Sequence, residues 1–372
     1  MANTNRMDIN ELFLRLVRLG IGTGTVNGSR FTVHGSVDWE ALKALADEQG
    51  LAAVALDGLN LLNFQPTTVS QLSTLNSQLK LEWIGEVLQG EAVYAGQWEA
   101  ARGMAEVFGK NDIRTYVLKG FVVSECYPKP NHRVSVDLDS FLTPQQGDFN
   151  AWEQGNKLME NAGFEVDRSF YKNSTIMLKG LTVENHQFMT PVRGSKRLKR
   201  LERLLQSYIY DDDGKDRFEG TCMYRPPVMV SALFLIEHAY AHFLHEGLTW
   251  RMVLDWQMFS RKHKQEIDWY SLSALIDEFG FRKFYDSYNR LGFYLTGEGQ
   301  EPEGLSVQDK RMLGDVWASL DIHDFHGVKG KMALAGNSIR AAWKYRYFTP
   351  DLMIVDLFNR VKGFIFERHP KI

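Results

Sequence analysis

Cysteine is scarce: the 372 residues include only two, Cys126 and Cys222, in dissimilar contexts and with no CxxC. That argues against a disulfide framework and fits a reducing cytoplasm. An excess of one charge is also lacking. The chain has 43 Lys and Arg against 46 Asp and Glu, a net charge of −3. It is not a polycation, so any nucleic-acid contact has to come from a local patch. Long hydrophobic runs are few. The most apolar stretch, "VMVSALFLIEHAYAHFL", is interrupted by Glu237, His238 and His242 and is too short to span a bilayer cleanly. The opening "MANTNRMDINELFLRLVRLG" lacks the basic region, apolar run and cleavage site of a signal peptide. There is no internal repeat, low-complexity tract or disordered linker. A soluble, cytoplasmic protein with no membrane partner is expected. With 44% hydrophobic and 24% charged residues, the composition suits a core of ordinary size, and the length suggests two or three domains.

What is present divides into three textures. Residues 1–110 read as helix. "DWEALKALADEQG" opens on Asp38 as an N-cap and closes on Gly50, and "VSQLSTLNSQLKLEWIGEVLQGEAVYAGQWEAARGMAEVFGKN" keeps helical periodicity for many turns. The glycine-rich "GIGTGTVNG" lacks the lysine and hydroxyl of a P-loop and reads as a loop. Residues 111–192 change to strand. "IRTYVLKG" is a strand ending at a glycine, "FVVSECY" a short helix, and "VSVDLDSFL" alternates as a strand. An amphipathic helix follows in "DFNAWEQGNKLMENAGF", then the strands "EVDRSFYK", "STIMLKG" and "LTVENHQF". Residues 193–372 return to helix. The expected class is α+β, a small mixed sheet with helices embedded between N-terminal and C-terminal helical segments.

The chemistry concentrates in "YPKPNHRVSVDLDSFL". Residues i and i+2 of a strand share a face, so Asp137 and Asp139 project together while Val136, Leu138 and Ser140 face the other way. Two adjacent carboxylates repel unless a cation lies between them. A D-x-D pair on a strand is therefore a clamp for Mg²⁺ (or Mn²⁺) in phosphoryl or nucleotidyl transfer. The same alternation puts Arg133 and Ser135 on the aspartates' face. Lys119 and Gly120 end one strand and begin a helix, where backbone N–H groups can meet a phosphate. A third acid, Glu184, stands on a later strand with His186 two residues on.

The run "VLKG…YPKPNHRVSVDLDSFL" resembles the nucleotidyltransferase superfamily with the polymerase-beta-like fold. More closely it is similar to an uncharacterised bacterial branch related to abortive-infection toxin nucleotidyltransferases. "TVENHQ" resembles that branch's acid-plus-histidine strand, and "LIEHAYAHF…LTWRMVLDWQMF" its C-terminal helical segment. The resemblance implies a nucleoside triphosphate substrate cradled at Gly120. It also implies metal on Asp137, Asp139 and Glu184, and transfer of an NMP to a hydroxyl of a small molecule, RNA or protein. Two features depart from the superfamily: Phe121 stands where a second Gly or Ser is usual, and the third acid is Glu rather than Asp. Phe121 favours the alternative of a non-catalytic nucleotide-binding or interaction module that keeps the fold.

Two further constellations stand out. His238, His242 and His245 fall on one helix face at a spacing that could hold Zn²⁺, or that lets them line the cleft opposite the aspartates with Asp255 as a partner. Arg193, Lys196, Arg197, Lys199, Arg200 and Arg203 form a basic segment, read first as a solvated helix face and second as a seat for a triphosphate tail or RNA backbone.

Overall fold

The computed structural model describes residues 8–24, 37–63, 77–133, 135, 137–178, 180–192, 195–297, 304–318 and 342–349. Three helices come first: α1 (Ile9–Gly20), α2 (Trp39–Glu48) and α3 (Ala52–Asn63). Asp38 caps α2 by accepting from the Ala41 N–H at 3.0 Å, and Gly50 ends it in the left-handed region at φ +67°. Helices α1 and α3 pack so closely that a Cβ on Gly58 would stand 2.0 Å from the Leu16 carbonyl oxygen. Backbone cannot yield there as a side chain can. Gly58→Ala is expected to destabilise the protein by about 1–3 kcal/mol, measured by chemical denaturation.

Helix α4 (Ser77–Gly109) is 33 residues long and runs unbroken through Gly85, Gly90 and Gly96. It leads into β1 (Ile113–Val117), the single-turn helix α5 (Phe121–Ser124) and β2 (Asp137–Pro144). Then come α6 (Ala151–Asn161), β3 (Val166–Asp167), β4 (Asn173–Leu178) and β5 (Leu181–His186). The sheet order is β3-β4-β5-β2-β1-β6, where β6 is Met223–Tyr224. Strands β2 and β5 run parallel at its centre, and β6 adds parallel to β1. Two residues are too few for alternation to reveal, so β6 has no signal in the sequence.

One sheet face lies on α6. Asn156 accepts there from the Ser174 hydroxyl and the Asn185 amide, and Gly155 lets the helix approach Leu142 of β2. The other face carries Asp137 and Asp139. It looks toward α8 (Val228–His245), which follows α7 (Lys196–Tyr210). Helix α8 has the length and composition of a membrane span, but 67% of it is buried inside the protein, as suits a core helix. Helices α9 (Trp250–Lys262), α10 (Trp269–Glu278), α11 (Arg282–Thr296) and α12 (Val307–Trp317) follow, and residues 342–348 are helical as well. Buried Gln49 ties the two helical segments together. It donates to the Val316 carbonyl at 3.1 Å and accepts from the Trp250 N–H at 2.8 Å.

The turn before β2 is pinned by His132. Its Nδ1 lies 2.6 Å from Asp57 on α3 and its Nε2 lies 2.7 Å from Glu91 on α4. Burial alone would lower its pKa, but the bonds to the two carboxylates outweigh burial and raise it above 6.5. A raised histidine contributes stability that is complete below its unfolded value and is lost as pH rises through the folded one. Asp57 is shifted the opposite way, below 3.8, as its His132 and Lys129 partners overcome the effect of burial, so its contribution is lost toward acid. Thermal melts should therefore show stability falling as pH rises past neutrality, and His132→Gln should flatten that limb.

Candidate metal and nucleotide site

The site is set by the register of β2 and β5. Asp139 stands beside Glu184, and Phe141 beside His186. Neighbours in a ladder share a face, so Asp137, Asp139, Glu184 and His186 all project from the same side. Asp139 is 1% exposed. Its Oδ1 meets His186 Nε2 at 2.9 Å, while Oδ2 makes no hydrogen bond and has Lys119 Nζ at 3.3 Å. His186 Nε2 is also 3.6 Å from Glu184 Oε2. One ligand atom each from Asp139, Glu184 and His186 lies within 4.8 Å of the others, a spacing able to hold a metal ion. Asp137 stands one pleat earlier, half-buried.

The electrostatics separate the acids. Burial would push the Asp139 carboxyl up, but the Lys119 ammonium and the bond to His186 hold it well below the carboxylate range. Glu184 goes the other way. Burial and the charge of Asp139 raise it, Asp137 adds to this, and His186 and Lys172 oppose. Lys119 Nζ also lies 2.9 Å from His238 Nε2. Burial and the charges of Lys119 and His242 hold His238 well below 6.5, so the lysine donates to a neutral imidazole. An unbonded, buried carboxylate oxygen beside two further donors is what a divalent cation satisfies. The residues present fit a metal.

The model of the family described as uncharacterised nucleotidyltransferase matches residues 35–292. The chain belongs to this family. No curated protein and no solved structure matches it. The matched span contains the whole sheet and every residue of the cluster described above.

Several residues expected at the site are placed differently from the sequence reading. Strand β2 begins at Asp137, so the alternation does not extend back to Arg133 and Ser135. The chain reaches β2 through a 3₁₀ turn at Pro130–His132, and Arg133 directly follows that turn. Arg133 is fully buried and paired with Asp255 on α9, through Nε at 2.8 Å and Nη2 at 2.7 Å. Asp255 also accepts from the Tyr127 hydroxyl at 2.7 Å, so it serves Arg133 and not the histidines. Behind this pair is a cavity of about 20 Å³, room for one water, lined by Lys119, Arg133, His238 and Arg251 among others.

Ser135 and Gly120 come together. A Cβ on Gly120 would stand 3.5 Å from Ser135 Oγ, and Gly120 turns the chain at φ +65°. The Ser135 hydroxyl donates to the Asp137 carbonyl at 2.9 Å. Phe121 points away from this cradle. Its ring packs edge-on against Tyr94 and Trp98 of α4, at 5.4 and 4.9 Å between centroids. The departure at position 121 thus serves the core, and a hydroxyl is supplied beside Gly120 from Ser135.

The three histidines of α8 have separate partners. His238 takes Lys119, His242 takes Glu246 at 2.6 Å, and His245 meets the Tyr345 hydroxyl at 3.1 Å. The rings of His238 and His242 lie 4.4 Å apart, but among the described residues the one group of three or more close ligands is Asp139, Glu184 and His186. On α7, Lys196, Lys199, Arg200 and Arg203 are exposed, as a solvated face requires, and Arg193 lies outside the described residues. Sequence reasoning missed Lys172, just before β4, whose charge acts on both Glu184 and His238. A lone lysine at a strand start carries no pattern that could have marked it.

Proposed function

We propose that this nucleotidyltransferase moves an NMP from an NTP to a hydroxyl acceptor, with a divalent cation bound at Asp139, Glu184 and Asp137. The observation that carries the reading is the unbonded, buried Oδ2 of Asp139 beside Glu184 on a sheet of this family. When bound, the cation would anchor the triphosphate and acidify the acceptor hydroxyl. Gly120 and Ser135 would receive the triphosphate where the chain turns into α5. Lys119, already poised at the acids, would offset charge growing on the leaving group. Glu184 has a raised carboxyl and a side chain 35% exposed, the most accessible of the three clustered residues. It would take the acceptor's proton as the new P–O bond forms and pyrophosphate departs. The acceptor is a small hydroxylated molecule, an RNA end or a protein hydroxyl.

The test uses each of the four common NTPs labelled at the α-phosphorus, with divalent metal and an acceptor panel that includes the chain itself. Metal-dependent transfer of label with release of pyrophosphate is the expected result. Metal-dependent NTP binding by calorimetry without pyrophosphate release on any acceptor would instead mark a nucleotide-binding module.

A further inference from the structure

The cluster departs from an all-carboxylate site in one respect, the imidazole of His186. Its Nδ1 donates to the Phe188 carbonyl at 3.1 Å, which leaves Nε2 turned to the acids, 2.9 Å from Asp139 Oδ1, where a bound ion would take the place of the Nε2 proton. A second-sphere carbonyl fixing the far nitrogen in this way is the usual support of a metal-bound histidine. The ring cannot swing aside. His186 is 2% exposed and lies edge-on to Phe234 of α8, 6.2 Å between centroids. The spacing also suits coordination. Two ligand atoms bound at ~2.1 Å and at right angles stand about 3 Å apart. Nε2 lies 2.9 Å from Asp139 Oδ1 and 3.6 Å from Glu184 Oε2. An ion could be held with little rebuilding of the chain.

Resting on the reading of this cluster as a metal centre, we propose that His186 Nε2 binds the ion directly and makes the site prefer a divalent first-row transition ion over Mg²⁺. The physical reason is ligand softness. Mg²⁺ seeks oxygen donors in near-ideal octahedra and gives up water reluctantly. Imidazole nitrogen suits iron, nickel, copper and zinc, and affinity at a mixed N/O site rises from Fe²⁺ through Co²⁺ and Ni²⁺ to Cu²⁺. Asp139 and Glu184 alone would accept either kind of ion. His186 replaces one oxygen position with nitrogen, and its burial leaves no room for a water-rich Mg²⁺ shell on that side.

The test needs no turnover. Full-length protein is titrated with Co²⁺ and with Mg²⁺ in the absence of nucleotide. Electron spin-echo spectra are recorded on bound Mn²⁺ as the probe. Expected are ¹⁴N modulations from one imidazole, absent in His186→Gln. Co²⁺ should bind at least about tenfold more tightly than Mg²⁺, and His186→Gln should cost Co²⁺ about tenfold or more with Mg²⁺ little changed. Bound Mn²⁺ without ¹⁴N modulation, or modulation that persists in His186→Gln, overturns the inference. In that event the carboxylate metal site still stands, provided Asp139→Asn abolishes binding. If no ion binds wild-type protein at all, the metal centre itself is refuted along with the inference.

Discussion

Asp139→Asn should lower nucleotidyl transfer by ~10²–10³-fold and cost stability as well. The first effect follows from position. Asp139 is the most buried acid of the cluster and supplies its one fully buried carboxylate oxygen without a hydrogen bond. Removing a preorganised charge from such a site typically costs two to three orders of magnitude, roughly 3–4 kcal/mol of transition-state stabilisation. The second effect follows from the neighbours. The Asp139 carboxylate is held between Lys119 and His186, and an amide cannot balance those groups. Breaking a buried pair from one side costs about 3 kcal/mol. Asp137→Asn should differ. Asp137 is half-buried and its charge helps to raise Glu184, so the change relieves repulsion. Activity should fall in both variants, but the melting temperature should drop only for Asp139→Asn and stay level or rise slightly for Asp137→Asn. Label transfer and thermal melts on the three proteins decide it. Equal melting temperatures would mean that Lys119 and His186 do not hold Asp139 as described.

The acid-bearing face was legible because a strand has a strict period. "DLD" and "ENH" each place their outer residues on one side, and "LKG" marks where a strand gives way to a helix. Pairing was not legible. The parallel register that sets Asp139 beside Glu184 and brings His186 onto Asp139 is a long-range property, fixed by burial of Leu138 and Val183 on the opposite face. The same limit explains Arg133. Alternation alone extended the strand back to it, but Pro128 and Pro130 break the chain there, and a 3₁₀ turn at Pro130–His132 stands directly before Arg133. The helical segments were read from periodicity and caps, as at Asp38 and Gly50. That Gln49 would bridge them to each other had no local signal, because a buried glutamine and an exposed one look alike in sequence. Phe121 was read as a defect in a phosphate cradle. Its role lies in an aromatic contact with a helix more than twenty residues earlier, which single-strand or single-helix reasoning does not reach.

Arg133→Met tests whether that arginine is a tie or a phosphate ligand, and it should act on stability far more than on nucleotide affinity. The Arg133 side chain is wholly buried and its partner Asp255 is 7% exposed. Two parallel N–H···O bonds join them, the strongest geometry an arginine has. Burial would push the Asp255 carboxyl up, but Arg133 outweighs it and holds the group below 3.8. Methionine fills similar space but leaves Asp255 with the Tyr127 hydroxyl and the charge of Arg251. An uncompensated buried carboxylate of this kind costs roughly 3–5 kcal/mol. Asp255→Asn placed in the Arg133→Met background should recover part of the loss, since the two groups are in contact and their effects do not add. The tie joins the turn before β2 to α9, so its loss should loosen the helical segment against the sheet without removing any group from the metal cluster. NTP affinity of the folded variant, measured by calorimetry with metal present, should stay within about twofold of wild type. Undiminished stability together with a tenfold loss of NTP affinity would return Arg133 to the phosphate site.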